Sequence, residues 1–430
     1  MNRNRQKWLI ETGRTAVSLM MTLMMVLTAT SMTVSAAETV ETVAASGDAV
    51  RLLVPPYLQI TGTDEPGQQE MSVCFVTDRD SLGRVEFSEG DTLGDAPTVV
   101  YEAHHGLRQN GYIFRIPLRS LKPDSLYTYR VAAKEITQQQ AYRVDYGTEV
   151  ESGPYTFRTL AATKPNTGPE DAVLTMAVFN DIHSRWPILE KLWEQVENEP
   201  INLVLLNGDI IADPADEAAI LRGLKTFSDS FAARIPTVYV RGNHETRGPM
   251  ATRFRDYMAY PSAPFYFDFS ASGVRLLVVD FGEDKPDDEA VYGGLNDFDT
   301  LRTEEAAWLA EAVKRPEFIG ALARIVCCHA PTHPDDGWHG TGELREKFSP
   351  IYNESGVNLY LAGHTHEALI TPAGRYPDEK DSLPNRYAIA TGDGPDEKGA
   401  VVQLVTVFGN GRICVKQIRS DGTIREESVF

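Results

Sequence analysis

Apolar and polar residues follow different spacings in different parts of the chain. Between residues 54 and 160, short runs such as 70–77 and 111–118 alternate apolar with polar positions and are separated by Pro, Gly and Asp. A period of two predicts half-buried β-strands. We therefore expect an all-β sandwich of about seven strands over residues 54–160.

One corner of this predicted sandwich is marked by Tyr127, which follows a turn containing Pro123. The strand that begins there places Tyr127, Tyr129 and Val131 on one face. A Tyr at such a corner packs its ring inward and bonds its hydroxyl to nearby backbone. The arrangement is typical of a small sandwich of the fibronectin type III kind.

The spacing changes after residues 161–170, a linker rich in Pro, Gly and Thr. Strand-like apolar runs now alternate with helix-like segments, of which residues 187–196 place apolar side chains on one helical face. This alternation indicates an α/β domain over residues 171–430. Its last part, residues 401–430, predicts a β-meander, because Asn-Gly and Asp-Gly turns separate the apolar runs. The preceding apolar runs cover residues 173–179, 201–207, 237–240, 274–280, 323–328 and 357–361.

The N-terminus carries the features of a secretory signal peptide. Four basic residues precede an apolar run at 16–29, which is too short to span a membrane comfortably, and small residues follow at 34–36. We expect residues 1–36 to be cleaved, residues 37–53 to be a flexible leader, and the protein to be exported to the periplasm or beyond the cell. Cleavage would leave no stable membrane anchor; an uncleaved anchor is the alternative.

Composition and charge exclude some classes of protein and some classes of binding partner. The chain has 430 residues, is 42% hydrophobic, and carries a formal net charge of −20. An ordinary apolar content excludes a disordered chain. A strongly acidic protein repels polyanions at long range, so we expect no nucleic-acid partner.

The four cysteines, Cys74, Cys327, Cys328 and Cys414, show no zinc-binding spacing. Buried thiols that act as small apolar residues are the favoured interpretation. A disulfide to Cys414 is the alternative.

Polar clusters directly follow five of the apolar runs. In an α/β sheet, such strand ends gather ligand-binding groups in one crevice. Imidazole, carboxylate and amide oxygen together are ligands for Zn, Fe or Mn. These side chains offer more ligands than one metal ion can bind. Two ions that share one Asp as a bridging ligand would use them all. The clusters are Asp181 with His183, Gly208 with Asp209, Gly242 to Glu245, His329, and Gly363 with His364 and His366.

In this order, the clusters resemble the motifs of calcineurin-like metallophosphoesterases, whose fold is a four-layer αββα sandwich. With the preceding β-sandwich, the layout from residue 54 onward resembles that of purple acid phosphatases. The resemblance implies two transition-metal ions, of Fe, Mn or Zn. It assigns Asp181, His183, Asp209 and His366 to one ion, and Asp209, Asn243, His329 and His364 to the other.

The resemblance also implies roles beside the metal ions. His244 would face the substrate as a general acid or phosphate contact, and Asp209 would be catalytic as the bridging ligand. Glu245 would orient His244 or the turn. Arg247 would bind a phosphate oxygen bidentately, with a surface ion pair as the alternative.

One position departs from the purple acid phosphatase pattern. That family carries a Tyr four residues after the Gly of its GDxxY motif, whereas this chain has Ala212 there. Purple acid phosphatases generally lack the His of the first motif, which this chain has as His183. Four ligands would therefore remain at that ion, without the tyrosinate that gives the family its colour.

The resemblance implies an enzyme that hydrolyses small phosphomonoesters by in-line attack of a metal-bound hydroxide, and the signal-peptide features imply that it is exported. A phosphodiesterase or nucleotide hydrolase using the same residues is the first alternative. A surface binding module with a vestigial metal domain is the second. From composition, we expect the acidic stretch 283–289 to be a solvated loop, and the loop with His333, Trp338 and His339 to overhang the crevice.

Overall fold

The computed structural model describes residues 49–430, except 66–67, 162–164, 262–263, 335–336, 377–384 and 397, and except the side chains of 62–69. The predicted signal peptide and residues 37–48 of the predicted leader lie outside the described residues, whereas residues 52 and 53 of that leader belong to the first strand. None of the helices described between residues 49 and 430 has the length and apolar character needed to cross a membrane.

An all-β domain comes first, as the alternating pattern predicts. Its apolar core contains Phe75, Phe114, Tyr129 and Phe157. The hydroxyl of the buried Tyr127 accepts a hydrogen bond from the Lys122 N–H at 2.9 Å, which confirms the predicted tyrosine corner. The strands are β1 (Leu52–Glu65), β2 (Gln68–Glu89), β3 (Thr98–Val100), β4 (Ala103–His104), β5 (Leu107–Arg108), β6 (Gly111–Leu121), β7 (Leu126–Gln140) and β8 (Arg143–Arg158).

The α/β part follows, and its six predicted apolar runs all form strands. The strands are β9 (Ala172–Phe179), β10 (Leu203–Asn207), β11 (Thr237–Val240), β12 (Phe267–Ala271), β13 (Val274–Val279), β14 (Ala323–Cys328), β15 (Leu359–Ala362), β16 (Leu369–Thr371), β17 (Ala388–Thr391), β18 (Val401–Phe408), β19 (Ile413–Arg419) and β20 (Ile424–Val429). The helices are α1 (Trp186–Glu194), α2 (Glu217–Phe227), α3 (Phe298–Ala312), α4 (Pro316–Ile319), α5 (His339–Lys347) and α6 (Ser349–Ser355). The last three strands are the predicted meander.

These strands form two sheets that pack face to face. The first sheet contains the order β20-β19-β18-β9-β10-β11, and the second has the order β12-β13-β14-β15-β17-β16. Within them β9, β10 and β11 run parallel, as do β13, β14, β15 and β17. The carboxyl ends of the parallel strands of each sheet therefore lie at one edge of that sheet.

Three apolar cores define the layers. Helices α1 and α2 cover the outer face of the first sheet through Leu189, Leu192 and Leu224. Inner-facing residues such as Val178 and Ile325 fill the space between the sheets. Helices α3, α5 and α6 cover the outer face of the second sheet. The architecture is the expected four-layer αββα sandwich, preceded by an all-β domain.

The all-β domain is continuous with the first sheet, because β1 pairs in parallel with β11 at Gln59 and Thr237. The Thr237 hydroxyl donates to the Leu58 carbonyl at 2.7 Å, and the Tyr129 hydroxyl donates to the Ala233 carbonyl at 2.8 Å. Residues from Ala49 onward thus form one compact unit. The domain boundary at residues 161–170 and the fibronectin type III assignment remain predictions.

All four cysteines are free. Cys74, Cys327 and Cys328 are buried among apolar side chains, as the favoured interpretation predicts, and Cys414 is half-buried.

Candidate metal centre

The polar clusters that follow the strands meet where the carboxyl ends of the two sheets come together. Asn207, the last residue of β10 in the first sheet, joins these ends. Its amide Nδ2 donates to the carbonyl of Cys328 at 3.1 Å and to that of Leu361 at 3.3 Å, both in the second sheet. The clusters after β9, β10 and β11 therefore face those after β14 and β15.

Asp181, His183 and His366 form a first group, with one potential ligand atom of each within 4.8 Å of the others. His366 Nε2 lies 3.4 Å from Asp181 Oδ1 and 3.0 Å from His183 Nε2. The carboxylate of Asp181 accepts from the His364 N–H at 3.0 and 3.1 Å, which fixes its orientation. The first predicted ligand set is thus assembled around Asp181.

Asp209, His329 and His364 form a second group by the same criterion. His329 Nε2 lies 3.2 Å from Asp209 Oδ2, and Asn243 Oδ1 lies 3.1 Å from His364 Nδ1. Asp209 Oδ2 also lies 3.8 Å from His183 Nε2 of the first group. Asp209 therefore lies between the two groups, and all seven predicted ligands come together.

His329 provides the test of whether these residues fit a metal ion. Its ring is fully buried, and Nδ1 donates to the Asn207 carbonyl at 3.0 Å, so Nε2 is the nitrogen left for a ligand. Nε2 is buried and makes no hydrogen bond. It faces the carboxylates of Asp209 at 3.2 Å and Asp181 at 3.7 Å, so a cation, either a proton or a metal ion, is stabilised between these three groups. Imidazole held in this way, among carboxylates and an amide, is typical of a transition-metal site.

Five of the seven predicted ligands adopt a left-handed backbone, which residues other than glycine rarely do. Backbone strain of this kind is found where surrounding structure holds a functional site in place. The φ angles are 52° at Asp181, 47° at His183, 53° at Asp209, 70° at His364 and 52° at His366.

Two glycines allow the strand ends to approach each other. A Cβ at Gly208, whose φ is 86°, would lie 2.5 Å from the His329 ring. A Cβ at Gly242 would overlap both the backbone nitrogen and the carboxylate of Asp209. The glycines that precede Asp209 and Asn243 are therefore required by the packing of the site.

Glu245 is fully buried and orients the turn, one of the two roles expected of it. Its carboxylate accepts from the N–H groups of Asp209, Ile211 and Gly242 at 2.8–2.9 Å and from the Tyr239 hydroxyl at 2.8 Å. Burial and the neighbouring Asp209 raise the pKa of Glu245. The four donors oppose this shift and tie the loop after β10 to the loop after β11.

His244 lies at the mouth of the site, with 30% of its side chain exposed. Its N–H donates to Asp209 Oδ1 at 2.9 Å, and its Nδ1 donates to the Ala212 carbonyl at 2.5 Å. Nε2 lies 3.8 Å from Asp209 Oδ2 and 3.1 Å from Arg247 Nη1. Ala212, at the position of the absent tyrosine, therefore orients His244 through its backbone.

Two of the four predicted histidine ligands, His183 and His364, are held as neutral rings. Burial lowers the pKa of both His183 and His364 to about 4, so each ring is neutral at pH 7 and retains a lone pair. Burial acts in the same direction on His329, but the carboxylates of Asp209 and Asp181 outweigh it and raise the pKa of His329 to about 10. A metal ion at His329 would therefore replace a proton.

The acidic stretch 283–289 was wrongly predicted to be solvated at its start. Glu283 is fully buried and Asp284 is 6% exposed. The Glu283 carboxylate pairs with Arg247, at 2.7 Å from Nε and 2.7 Å from Nη2. The composition of the stretch gave no signal for this pairing, because the partner follows a strand of the other sheet.

The described contacts of the loop after β14 include the loop after β13 and helix α3. His333 is buried with Nδ1 3.1 Å from the Thr332 hydroxyl, and the Lys285 ammonium lies 5.0 Å above the Trp338 ring. His339 Nε2 lies 2.8 Å from Asp299 Oδ1. That this loop overhangs the crevice remains a prediction.

Asp299, His339 and Glu343 form a further group of potential ligands. Arg302 donates to both carboxylates, and Lys347 lies 2.6 Å from Glu343 Oε1. The carboxylates are thus already neutralised, and this group is an ion-pair network on helices α3 and α5.

Comparison with known proteins agrees with this geometry. Residues 174–368 match the calcineurin-like phosphoesterase family. The chain is 21% identical over 385 residues to "Probable purple acid phosphatase 20" of Arabidopsis thaliana, covering 81% of this chain and 79% of that protein. The solved structure of a purple acid phosphatase from yellow lupin (Lupinus luteus) seeds superposes with a TM-score of 0.62 at 15% identity, covering 89% of this chain and 74% of the lupin chain. The protein therefore carries a calcineurin-like phosphoesterase domain at residues 174–368, in a layout that resembles that of purple acid phosphatases.

Proposed function

We propose that the protein is an exported, dinuclear-metal-dependent phosphoesterase that hydrolyses small phosphomonoesters. The observation that carries the proposal is the position of Asp209 between two groups of nitrogen and oxygen donors. A carboxylate that serves both groups is what a two-ion site requires. Export is supported by the signal-peptide features of residues 1–36.

The proposed ligand sets follow from the two groups. One ion would be held by Asp181, His183, Asp209 and His366, and the other by Asp209, Asn243, His329 and His364. Fe, Mn or Zn suits these donors. When bound, such ions polarise phosphoryl oxygens and make a water molecule nucleophilic at neutral pH.

His244 would protonate the leaving-group oxygen. Its Nδ1 is committed to the Ala212 carbonyl, so Nε2 is the atom that can exchange a proton with a substrate. Arg247 would contact the phosphoryl group through Nη1 alone and not bidentately, because its Nε and Nη2 donate to Glu283 while Nη1 lies beside His244 Nε2.

Hydrolysis assays on the mature protein, loaded in turn with Mn, Zn or Fe, would test this function. An aryl phosphomonoester is compared with an aryl phosphodiester, and Asp209→Asn is the blank. We expect faster hydrolysis of the monoester. Preference for the diester would favour the phosphodiesterase or nucleotide hydrolase alternative. Absence of turnover above the blank with every metal would overturn the enzyme proposal and favour a binding module.

A further inference from the structure

The Arg247 side chain spans the gap between the two sheets. It follows β11 of the first sheet, and its Nε and Nη2 donate to Glu283, which follows β13 of the second. Its third nitrogen, Nη1, lies 3.1 Å from His244 Nε2. A guanidinium only donates, so His244 Nε2 is the acceptor in this contact and carries no proton. To act as an acid, Nε2 takes up a proton from solvent while Nη1 turns from the imidazole to a phosphoryl oxygen of the substrate. One side chain thus links a buried carboxylate to the imidazole at the mouth of the site.

The backbone of Glu283 is fixed by contacts with two helices, whereas the Arg247 side chain that it binds is partly exposed. Its carbonyl accepts from Nη1 of the fully buried Arg302 at 3.1 Å. The adjacent Asp284 carbonyl accepts from the Gly340 N–H at 2.9 Å, and a Cβ at Gly340 would overlap the Glu283 carbonyl oxygen. Helices α3 and α5 therefore fix the backbone of Glu283. Arg247, whose side chain is 27% exposed, takes its position from this anchor.

We propose that Glu283 is a positioning residue for His244 and acts through Arg247. The bidentate pair fixes the plane of the guanidinium, which in turn places Nη1 against His244 Nε2. Because Ala212 holds Nδ1, both ring nitrogens of His244 then have a specified partner. The His244 imidazole and the Arg247 guanidinium therefore have fixed positions relative to each other before a phosphate ester binds. This inference rests on the proposed function of His244.

A plain loop-anchoring ion pair is the competing explanation, and it predicts different kinetics. If Glu283 only anchors its loop, its loss slows all substrates equally. If Glu283 positions His244, its loss lowers the rate more for poor leaving groups than for good ones, because poor leaving groups depend more on protonation. Glu283→Gln keeps the shape of the side chain but removes the charge. Arg247→Lys keeps the charge but cannot bond bidentately to Glu283 and also reach His244. Asp268→Asn is the matched control, because it removes the charge of a buried carboxylate in edge strand β12 that pairs with Arg275 and Arg315, away from the site.

The kinetic test uses the Zn-loaded protein and aryl phosphomonoesters of graded leaving-group pKa. We expect Glu283→Gln to lower kcat by roughly 10- to 100-fold for the poorest leaving group and much less for the best. In a His244→Asn background the effect should disappear. Three results would overturn the proposal. They are an equal decrease in kcat for all leaving groups, an undiminished decrease in the His244→Asn background, and the same decrease in Asp268→Asn. Should Glu283→Gln prove unstable, Arg247→Lys carries the same test.

A second readout does not depend on turnover. The nine histidines of the chain can be labelled with ¹⁵N, and the His244 ring is identified by its absence in His244→Asn. In the Zn-loaded protein, Glu283→Gln and Arg247→Lys should each shift the Nε2 resonance of His244, whereas Asp268→Asn should not. An unchanged resonance would overturn the positioning role even if the protein hydrolyses phosphate esters. A shifted resonance in a protein without activity would instead count against the proposed function alone.

Discussion

Asp209 Oδ2 lies 3.2 Å from the buried Nε2 of His329, although the two residues follow strands of different sheets. His329 Nε2 makes no hydrogen bond. The Asp209 carboxylate also faces His183, a member of the first ligand group, at 3.8 Å. Two packed sheets thus bring unlike donors to one point. A bound cation is the simplest partner for both atoms.

Replacement of His244 separates metal binding from proton transfer. His244→Asn should retain the metal ions, because the seven predicted ligands are unchanged. Turnover should fall by about 10²- to 10⁴-fold for poor leaving groups and less for good ones, since only the former need a proton. Metal analysis and kcat for a series of aryl phosphates measure both effects. A uniform loss across the series would argue against the acid role.

The residue at position 212 makes a spectroscopic prediction. Alanine has no phenolate, so the iron-loaded protein should lack the strong visible absorption of a tyrosinate–iron pair. An absorption spectrum of the protein reconstituted with ferric iron checks this. A strong purple band would contradict the ligand assignment at the first group.

Gly242 should not tolerate a side chain. Gly242→Ala would force a methyl group into Asp209, and we expect a loss of roughly 1–3 kcal/mol of unfolding free energy, together with weaker metal binding. Gly342 lies in helix α5 with open space around it, so Gly342→Ala is the control and should gain about 0.5–1 kcal/mol. Denaturant unfolding compares the two variants. Equal stabilities would show that the turn at Gly242 can relax.

Asp284 makes stability depend on pH. Burial, together with its hydrogen bond to Glu283, raises the pKa of Asp284 from 3.8 to about 6. The folded state therefore holds a proton that the unfolded state has lost, and this group costs stability increasingly as pH rises from about 4 to 6. Asp284→Asn mimics the protonated form. Its unfolding free energy relative to the native protein should rise over that range, by on the order of 1 kcal/mol, and stay level above pH 6. A difference that is constant from pH 4 to 7 would contradict the assignment.

Much of the α/β part was predictable because its parallel strands are buried on both faces and are followed by polar residues. The run that became β10 is apolar from Leu203 to Leu206, and Asn207, Gly208 and Asp209 follow it. The helix that became α1 was predicted from apolar side chains at helical spacing, with Pro187 in its first turn. These signals are local, and they identified both the elements and the clusters that form the site.

Contacts between distant elements were not predictable. The pairing of β1 with β11, which joins the all-β domain to the first sheet, depends on one register position and on packing. The burial of Glu283 depends on Arg247 and Arg302, which belong to other elements. An acidic stretch looks solvated in sequence, and only the tertiary structure provides its cationic partners.

The most direct test of the central claim is the number of metal ions bound per chain. The mature protein, saturated with Zn or Mn and freed of excess metal, should retain two ions by elemental analysis. His366→Ala and His329→Ala should each lose one ion, because these residues belong to different groups, and Asp209→Asn should lose both. Asp213→Asn, the same substitution in the same loop at an exposed residue, should retain two. Two ions in the native protein, with this pattern of losses, is the result that we predict. A single ion per chain, or an unchanged metal content in Asp209→Asn, would contradict the two-ion site.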